Sequence, residues 1–270
     1  MKLELDGQVA VIVGGARGLG RSIAEGFLAE HARVVLVDRD SEVEQTAREL
    51  AGHGGRPAEV EPAQLDATDH AAVERLSHEL WQRYGRVDHV VFAAGIGSGK
   101  FGFPFWKLSP ADWDKVLRVN LIGAVNVAHA FAPAMSESCR GTFLFIASVA
   151  GQIGSQTDPP YSASKAGLIN FAQCAAKDLA PYGVRVNALC PGMIKSALNR
   201  SVYEAWAAGA PGTPPTYEAW AAEKIQKLVP LNRWQTPEDV AAMAVFLASA
   251  RAHNVTGQTI NVDGGYVMHW

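Results

Sequence analysis

The stretch that decides the fold lies near the N-terminus and reads Val9-Ala10-Val11-Ile12-Val13-Gly14-Gly15-Ala16-Arg17-Gly18-Leu19-Gly20. Its first five residues are apolar and mostly β-branched, which predicts a strand buried on both faces. A glycine turn follows, and beyond it Ile23, Phe27 and Leu28 recur at helical spacing. Strand, turn and helix together aim backbone N–H groups and the positive end of the helix dipole at an anion. A pyrophosphate site is predicted, although a glycine turn alone is also common as a simple turn.

A second apolar run supports the nucleotide interpretation. Val34–Val37 predicts a strand that ends at Asp38, which lies 18 residues beyond Gly20. An acidic residue about 20 residues after such a turn accepts hydrogen bonds from an adenosine ribose. The alternative is that Asp38 only caps the helix predicted over Ser41–Leu50.

The rest of the chain alternates strands with helices. Five further strands are predicted, at Ala58–Leu65, Val87–Ala93, Thr142–Ala147, Val184–Leu189 and within Gly257–Gly265. Such alternation favours an α/β fold of the Rossmann type, doubly wound, with a seven-stranded parallel sheet and helices on both faces. At 270 residues and 48% hydrophobic content, the chain is expected to form a single domain over residues 1–270.

Charge and hydropathy exclude several partners. The net charge is −3, charged residues make up 19% of the chain, and they form no basic block, so neither nucleic acid nor an acidic membrane surface is expected as a partner. Glu4 and Asp6 interrupt the N-terminus, and no apolar run approaches the ~18 residues of a membrane span. A cytoplasmic protein with a small-molecule substrate is the expectation.

The sequence offers little for a metal or a disulfide. Cys139, Cys174 and Cys190 are odd in number and widely spaced in apolar surroundings, so buried free thiols are expected. His78-Glu79 begins a zinc-binding HExxH pattern, but position 82 is Gln where the second histidine is needed. No metal site is predicted.

A tyrosine and a lysine four residues apart carry the candidate chemistry. If Pro160 opens a helix, Tyr161 and Lys165 project from one face roughly 5–6 Å apart at Cβ. A nearby ammonium favours the phenolate, so Lys165 is expected to lower the tyrosine pKa and make Tyr161 a proton acceptor. Ser148, at a strand end, could hold the substrate oxygen. Taken alone, the spacing is also that of an ordinary helix pair.

The order of these motifs resembles the short-chain dehydrogenase/reductase family. The likeness runs from about Gln8 to Tyr266 and includes the glycine turn, Ser148 and Tyr161-x-x-x-Lys165. It implies a nicotinamide-dependent oxidoreductase that interconverts an alcohol and a carbonyl, commonly as a homotetramer. Tyr161 would be general acid/base, Ser148 would hold the substrate oxygen, and Lys165 would bind the nicotinamide ribose. Asn120 would hold a water that connects Lys165 to solvent.

The resemblance also assigns the cofactor site. Asp66 would contact the adenine, and Pro191-Gly-Met-Ile-Lys-Ser196 would meet the nicotinamide amide, with Ser196 in place of the family's threonine. Phe92-Ala93-Ala94-Gly95 stands where the family usually carries Asn-Asn-Ala-Gly, which puts local stability in doubt more than chemistry. The full set expected at the cofactor is Gly14, Arg17, Gly18, Leu19, Gly20, Asp38, Asp66, Ala94, Gly95, Tyr161, Lys165, Pro191, Gly192, Ile194 and Ser196.

Residues in the glycine turn and at the end of the second strand give opposite indications for the cofactor, some favouring NAD and others NADP. Asp38 favours NAD, because its carboxylate would sit against the 2′-phosphate of NADP. Arg17 and Arg39 resemble the basic residues with which NADP-preferring family members grip that phosphate. NAD is the prediction. An NADP-dependent ketoreductase of the 3-oxoacyl type, a sugar-nucleotide epimerase or dehydratase, and a non-catalytic cofactor-sensing protein are the alternatives, though epimerases usually carry an added C-terminal domain.

Residues 197–233 depart most from a generic family member. Tyr203-Glu-Ala-Trp206-Ala-Ala recurs as Tyr217-Glu-Ala-Trp220-Ala-Ala, and a connector rich in glycine and proline separates the two copies. Two short helices joined by a turn are predicted. The resemblance implies that this excursion covers the substrate, whereas the alternative is that its aromatic residues merely dock it on the domain.

Overall fold

Seven parallel strands form one sheet in the computed structural model, which describes residues 2–52, 59–154 and 157–268. The strand order is β3-β2-β1-β4-β5-β6-β7. The strands are β1 (Val9–Val13), β2 (Arg33–Asp38), β3 (Val60–Gln64), β4 (His89–Phe92), β5 (Gly141–Ile146), β6 (Val184–Pro191) and β7 (Thr259–Val262). The predicted Rossmann-type sheet is therefore confirmed, and β3, with Pro62, lies at an edge as its weaker apolar pattern indicates.

Helices cover both faces of this sheet. They are α1 (Gly18–Ala29), α2 (Glu42–Ala51), α3 (His70–Tyr84), α4 (Pro110–Leu117), α5 (Gly123–Glu137), α6 (Pro159–Leu179), α7 (Ala197–Ala208), α8 (Tyr217–Leu228) and α9 (Pro237–Ala248). Side chains of β1 alternate between the faces, because successive residues of a strand point to opposite sides. Val9, Val11 and Val13 pack with α3, α5 and α6, whereas Ala10 and Ile12 pack with α1, α2 and α9.

One continuous helical stretch, Pro110–Glu137, contains a π-helical turn at Arg118–Ile122 between α4 and α5. It begins with a capping box, in which the Ser109 N–H donates to Asp112 Oδ2 at 2.8 Å. By length and composition this stretch could cross a membrane. Its inner face packs against α3 and α6, and its buried Phe131 and Met135 join the core, so a core helix accounts for its apolar character.

Two sequence expectations need correction. Helix α6 begins at Pro159 rather than Pro160, because Asp158 is its N-cap and accepts from the Tyr161 N–H at 3.5 Å. Of the three cysteines, only Cys190 is a buried thiol, since Cys139 and Cys174 are exposed. Cys139 follows the end of α5 and Cys174 lies on the outer face of α6, so their apolar neighbours in sequence point elsewhere. The predicted start of β3, Ala58, falls outside the described residues.

The excursion over residues 197–233 forms the two predicted helices, α7 and α8. Their aromatic side chains build a small hydrophobic cluster of their own, separate from the two clusters of the sheet. The Trp220 ring lies 5.4 Å from Tyr203, 6.0 Å from Trp206 and 6.1 Å from Tyr217, centroid to centroid. The repeated Tyr-x-x-Trp motif therefore pairs the two helices.

The two tryptophans of this cluster are expected to behave differently when each is replaced by alanine. Trp220 is 5% exposed and Trp206 is 43% exposed. Removing a buried tryptophan typically costs about 3–5 kcal/mol. Here the loss falls on a small cluster that comes almost entirely from the excursion, with Trp234 just beyond it, so local opening of the excursion is expected. Trp220→Ala should speed limited proteolysis within residues 209–215, whereas Trp206→Ala should leave that rate unchanged and alter KM for substrate. Equal proteolysis rates in both variants would contradict this division.

A candidate active site at the carboxyl edge of the sheet

The predicted site residues gather at the carboxyl ends of the strands. Strand order reverses between β1 and β4, and ligands of open parallel sheets bind outside such a switch point. A cleft of about 190 Å³ lies there. Its walls carry residues from the ends of β1, β2, β3 and β4 and from the π-helical turn: Val13, Gly14, Arg17, Asp38, Arg39, Leu65, Asp66, Ala67, Thr68, Ala93, Ala94, Gly95, Ile96 and Val119.

The glycine turn fits a phosphate group at the entrance to α1. A Cβ on Gly14 would stand 2.5 Å from the Ala94 nitrogen, and one on Gly20 would stand 2.0 Å from the Gly14 carbonyl oxygen, so both positions exclude side chains. Gly18 adopts φ +57° with open space beside it. Gly18 and Leu19 open α1, whose first N–H groups lack helical partners. The turn is therefore a backbone cradle of the kind that binds a pyrophosphate.

Asp38 closes the other side of the cleft at the end of β2. Its carboxylate accepts from the Ala16 N–H at 3.1 Å and from the Asp40 N–H at 3.1 Å, which fixes its direction. Arg17 is not turned toward Asp38. Its guanidinium pairs with Asp40 at 3.1 Å and with Glu42 at 3.0 Å. Hydrogen bonding from the Glu42 N–H, and then the charge of Arg17, hold the pKa of Asp40 below its usual value.

Asp66, Ala94 and Gly95 complete this half of the site. Asp66 follows β3 and accepts from the Thr68 N–H at 2.8 Å. Ala94 lies against Gly14, and Gly95 lies beside the Lys165 ammonium, where an added Cβ would approach Nζ to 3.2 Å. Phe92, which replaces the family's usual asparagine, is fully buried and packs against Gly123 of α5. Apolar packing thus takes the place of polar contacts under the cleft.

Tyr161 and Ser148 lie together at this edge of the sheet. Ser148 follows β5 and its side chain interacts with the Tyr161 hydroxyl, while its Oγ accepts from the Ala150 N–H at 3.1 Å. Burial raises the pKa of Tyr161 to about 12, and the interaction with Ser148 opposes that rise. The expected lowering of this pKa is therefore wrong for the protein without its cofactor, because burial outweighs the interaction with Ser148 and the charge of Asp158 adds to the rise.

Lys165 is buried beneath the tyrosine, one helical turn along α6. Its Nζ donates to the Ile146 carbonyl oxygen at 2.7 Å and lies 5.6 Å from the centroid of the Tyr161 ring. Burial lowers the pKa of Lys165 to about 8. The ammonium thus lies under the ring and is held by the end of β5, where it borders Gly95.

Asn120 lies within the π-helical turn and is fully buried. Its Oδ1 accepts from the Ile96 N–H at 2.8 Å, and its Nδ2 donates to the Ile96 carbonyl at 2.9 Å and to Ser164 Oγ at 2.9 Å. Turns of this type often mark functional sites in helices. The side chain of Asn120 therefore fastens the loop after β4 to α6, the helix that carries Tyr161.

The residues expected at the nicotinamide follow β6. Pro191 ends that strand, and the Gly192 N–H donates to Val262 O at 3.0 Å. Ile194 is buried, and Ser196 is the N-cap of α7, where its Oγ accepts from the Asn199 N–H at 3.2 Å. This segment leads from the sheet edge directly into the excursion.

Two residues at this site were missed by the sequence reasoning. Asp158 is buried, accepts from the Ser98 N–H at 2.8 Å, and its charge adds to the raised pKa of Tyr161. An aspartate before Pro159-Pro160 is a helix-start signal, which could have revealed it. Cys190 is buried near Ser148 and Lys165, and burial raises the pKa of its thiol to about 12. Nothing in the sequence around Cys190 marks it.

The chain matches a family model described as enoyl-(acyl carrier protein) reductase over residues 14–267. The matched residues include the glycine turn, nearly all of the cleft and α6, the helix that carries Tyr161. The chain belongs to the short-chain dehydrogenase/reductase family. It is an oxidoreductase of the kind that acts on alcohols or carbonyl compounds.

Individual relatives differ in substrate. The chain is 33% identical to the 3-oxoacyl-[acyl-carrier-protein] reductase of Thermotoga maritima over 267 residues, which cover 98% of this chain and 100% of the relative. It is 36% identical to the sorbitol-6-phosphate 2-dehydrogenase of Escherichia coli over 264 residues, 97% and 99% of the two chains. The structure of L-sorbose reductase from Gluconobacter frateurii, complexed with NADPH and L-sorbose, is similar with a TM-score of 0.89, 27% identity and 100% coverage of both chains.

Proposed function

We propose that this protein interconverts a secondary alcohol and a ketone with a nicotinamide cofactor, and that the cofactor is NAD. The observation that carries the proposal is the Tyr161 hydroxyl, which lies beside Ser148 at the sheet edge that also holds the glycine cradle and Asp38. A nicotinamide cofactor, when bound, supplies or accepts the hydride.

Four side chains of this protein have the other roles in the proposed reaction. Tyr161 exchanges a proton with the substrate oxygen, which Ser148 holds by a hydrogen bond. Lys165 contributes the buried positive charge beside Gly95 and binds the nicotinamide ribose. Asn120 keeps the loop that carries Gly95 and Ile96 against α6, and with a water it completes the proton path from Lys165 to solvent.

The cofactor assignment is supported by the charges around Asp38. Asp38, Asp40 and Glu42 place three carboxylates at and beyond the end of β2, and Arg17 is held by the last two. A 2′-phosphate added to the adenosine ribose would meet these carboxylates, and like charges forced together cost several kcal/mol. Asp66, Ala94, Gly95, Pro191, Gly192, Ile194 and Ser196 would complete the cofactor site.

The expected kinetic result is a preference for NAD over NADP of at least about tenfold in kcat/KM. Asp38→Ala should narrow that gap, because the repulsion is removed while Arg17 and Arg39 remain. Glu44→Ala is the matched control, since Glu44 is an exposed carboxylate on α2 outside the walls of the cleft. Equal efficiency with both cofactors in the unmodified protein would refute the assignment.

The second candidate is an NADP-dependent ketoreductase of the 3-oxoacyl type. Arg39, exposed at the rim of the cleft, favours it, as does the similarity to the reductase of Thermotoga maritima. The same measurement separates the two candidates, because this alternative requires the preference to be reversed.

The substrate is expected to lie between two aromatic segments. The loop 97–107 is tied to the start of α6 by Ser98 with Asp158 and by Gly102 with Thr157, and it exposes Phe103, Phe105 and Trp106. The excursion 197–233, which we propose covers the substrate, exposes Trp206. Exposed aromatic rings stack on sugars and also bind apolar alcohols.

A substrate panel tests the proposed function. Polyols, apolar secondary alcohols, hydroxy acids and 3-hydroxyacyl thioesters would each be incubated with NAD and NADP, and reduced cofactor would be followed by its absorbance. Turnover of one class is expected. Cofactor binding without turnover of any class, in either direction, would favour the non-catalytic cofactor-sensing alternative. A homotetramer and a cytoplasmic location stay predictions, which light scattering and cell fractionation would test.

A further inference from the structure

A second cluster of chemically active side chains lies between α3 and α5, outside the proposed active site. His70 and Glu74 stand four residues apart on α3, and His129 stands opposite them on α5. His70 Nε2 lies 3.0 Å from His129 Nδ1. Glu74 Oε1 lies 3.6 Å from the first nitrogen and 3.9 Å from the second. Three donor atoms therefore face one another across a small gap.

The size of that gap suits a metal ion. A point equidistant from three atoms with these separations lies about 2 Å from each, which is the bond length of zinc to histidine nitrogen and carboxylate oxygen. The two imidazole rings have centroids 4.8 Å apart and planes inclined at 60°. The two facing nitrogens are 3.0 Å apart. If they pointed straight at each other, the ring centroids would lie farther apart than they do. The two nitrogens therefore converge at an angle.

Packing between the two helices fixes this geometry. Ser77 Oγ of α3 donates to the Ala130 carbonyl of α5 at 2.8 Å, next to His129. Asn126 of α5 donates to the Ala67 carbonyl at 3.0 Å, just before α3 begins. The cluster lies between these two bonds, so its donor atoms are held together by the fold and not by their mutual attraction alone.

We propose that His70, Glu74 and His129 form a binding site for a divalent transition-metal ion of the zinc type. Two imidazole nitrogens and one carboxylate oxygen favour zinc, nickel or copper over magnesium and calcium, which prefer oxygen ligands. All three side chains are partly exposed, so the ion can enter from solvent and keep water in its remaining position.

The metal would join the start of α3 to α5 beside the cofactor cleft. Leu65, Asp66, Ala67 and Thr68 line that cleft and lie directly before the helix that carries His70. The bound ion would therefore stabilise the segment that carries Asp66. The bound ion would have a structural role, because the cluster does not include Tyr161, Ser148 or Lys165. It would take no part in the proposed reaction.

Zinc binding to the full chain tests the proposal directly. Isothermal titration of chelator-treated protein with zinc chloride should show one ion bound per chain, and excess magnesium should not compete. His129→Ala and Glu74→Gln should each weaken zinc binding at least about tenfold. His78→Ala is the control, because His78 is an exposed histidine of the same helix that contacts Gln82 and lies outside the cluster.

Thermal unfolding gives a second readout. Zinc should raise the melting temperature of the unmodified protein and of His78→Ala, because a ligand that binds the folded state stabilises it. It should not raise that of His129→Ala, whose native fold circular dichroism would verify. No saturable zinc binding, or equal zinc affinity in His129→Ala and the unmodified protein, would overturn the proposal.

Discussion

Tyr161→Phe is expected to lower turnover by about 10²–10⁴-fold, the usual contribution of a general acid/base. Phenylalanine keeps the ring that stands over Lys165 and removes only the hydroxyl that Ser148 contacts. No proton donor or acceptor then remains at the substrate oxygen except Ser148. The affinity for NADH should be unchanged, which fluorescence titration would measure beside the steady-state rate.

The matched control for this substitution is Tyr182→Phe. Tyr182 lies just beyond the far end of α6, is exposed, and has no part in the proposed site. Its loss of a hydroxyl should leave both turnover and NADH affinity as they were. Near-normal turnover in Tyr161→Phe would remove this residue from the mechanism.

Lys165→Met is expected to lower turnover by a similar factor and, unlike Tyr161→Phe, to weaken cofactor binding as well. Methionine keeps most of the aliphatic volume in this buried position, so lost packing is a small part of the effect. What disappears is the ammonium that donates to Ile146 and borders Gly95 in the cleft. Binding would be measured by titration with NADH, and stability by thermal unfolding.

The matched control is Lys177→Met on the same helix. It removes one positive charge from the protein but none from the candidate site. Lys177 lies on the exposed face of α6, where a lost ammonium should affect neither binding nor turnover. Because Lys165 is proposed to bind the nicotinamide ribose, a variant with weak turnover and unchanged NADH affinity would contradict that role.

Much of the fold could be predicted from local pattern. The run Val9–Val13 is apolar at every position because β1 is central in the sheet and is buried on both faces. Strands β5 and β6 are also largely buried, although they include Thr142, Arg185 and Asn187. The capping-box patterns that begin at Ser109 and Thr236 also mark the starts of two helices, at Pro110 and Pro237. Local pattern does not fix the start of a helix where two prolines are adjacent, as at Pro159-Pro160, because either proline can occupy the first turn. Here Asp158 is the N-cap, so the helix begins at Pro159.

The sequence predicts which residues lie close together at the candidate site, but not the electrostatics of those residues. Spacing placed Tyr161 and Lys165 on one face, and the structure brings Ser148 to the same hydroxyl. Spacing cannot show how deeply a group is buried, and burial is what raises the pKa of Tyr161 and lowers that of Lys165. Arg17 bound to Asp40 and Glu42 was likewise unpredictable, since those side chains meet only after β2 and α1 pack.

The pH dependence of alcohol oxidation tests the central claim, that Tyr161 is the base, most directly. Oxidation needs the phenolate, and the pKa of Tyr161 near 12 means that its fraction grows with pH throughout the neutral range. The Lys165 ammonium, whose pKa is about 8, loses its charge above that pH. The loss of this charge at the site opposes the increase in oxidation rate that the growing phenolate fraction causes. The initial rate of NADH formation should therefore climb steeply from about pH 6 to about pH 8 and more slowly beyond, and Tyr161→Phe should show no such climb. A rate in the unmodified protein that does not change with pH, or the same profile in Tyr161→Phe, would contradict the account.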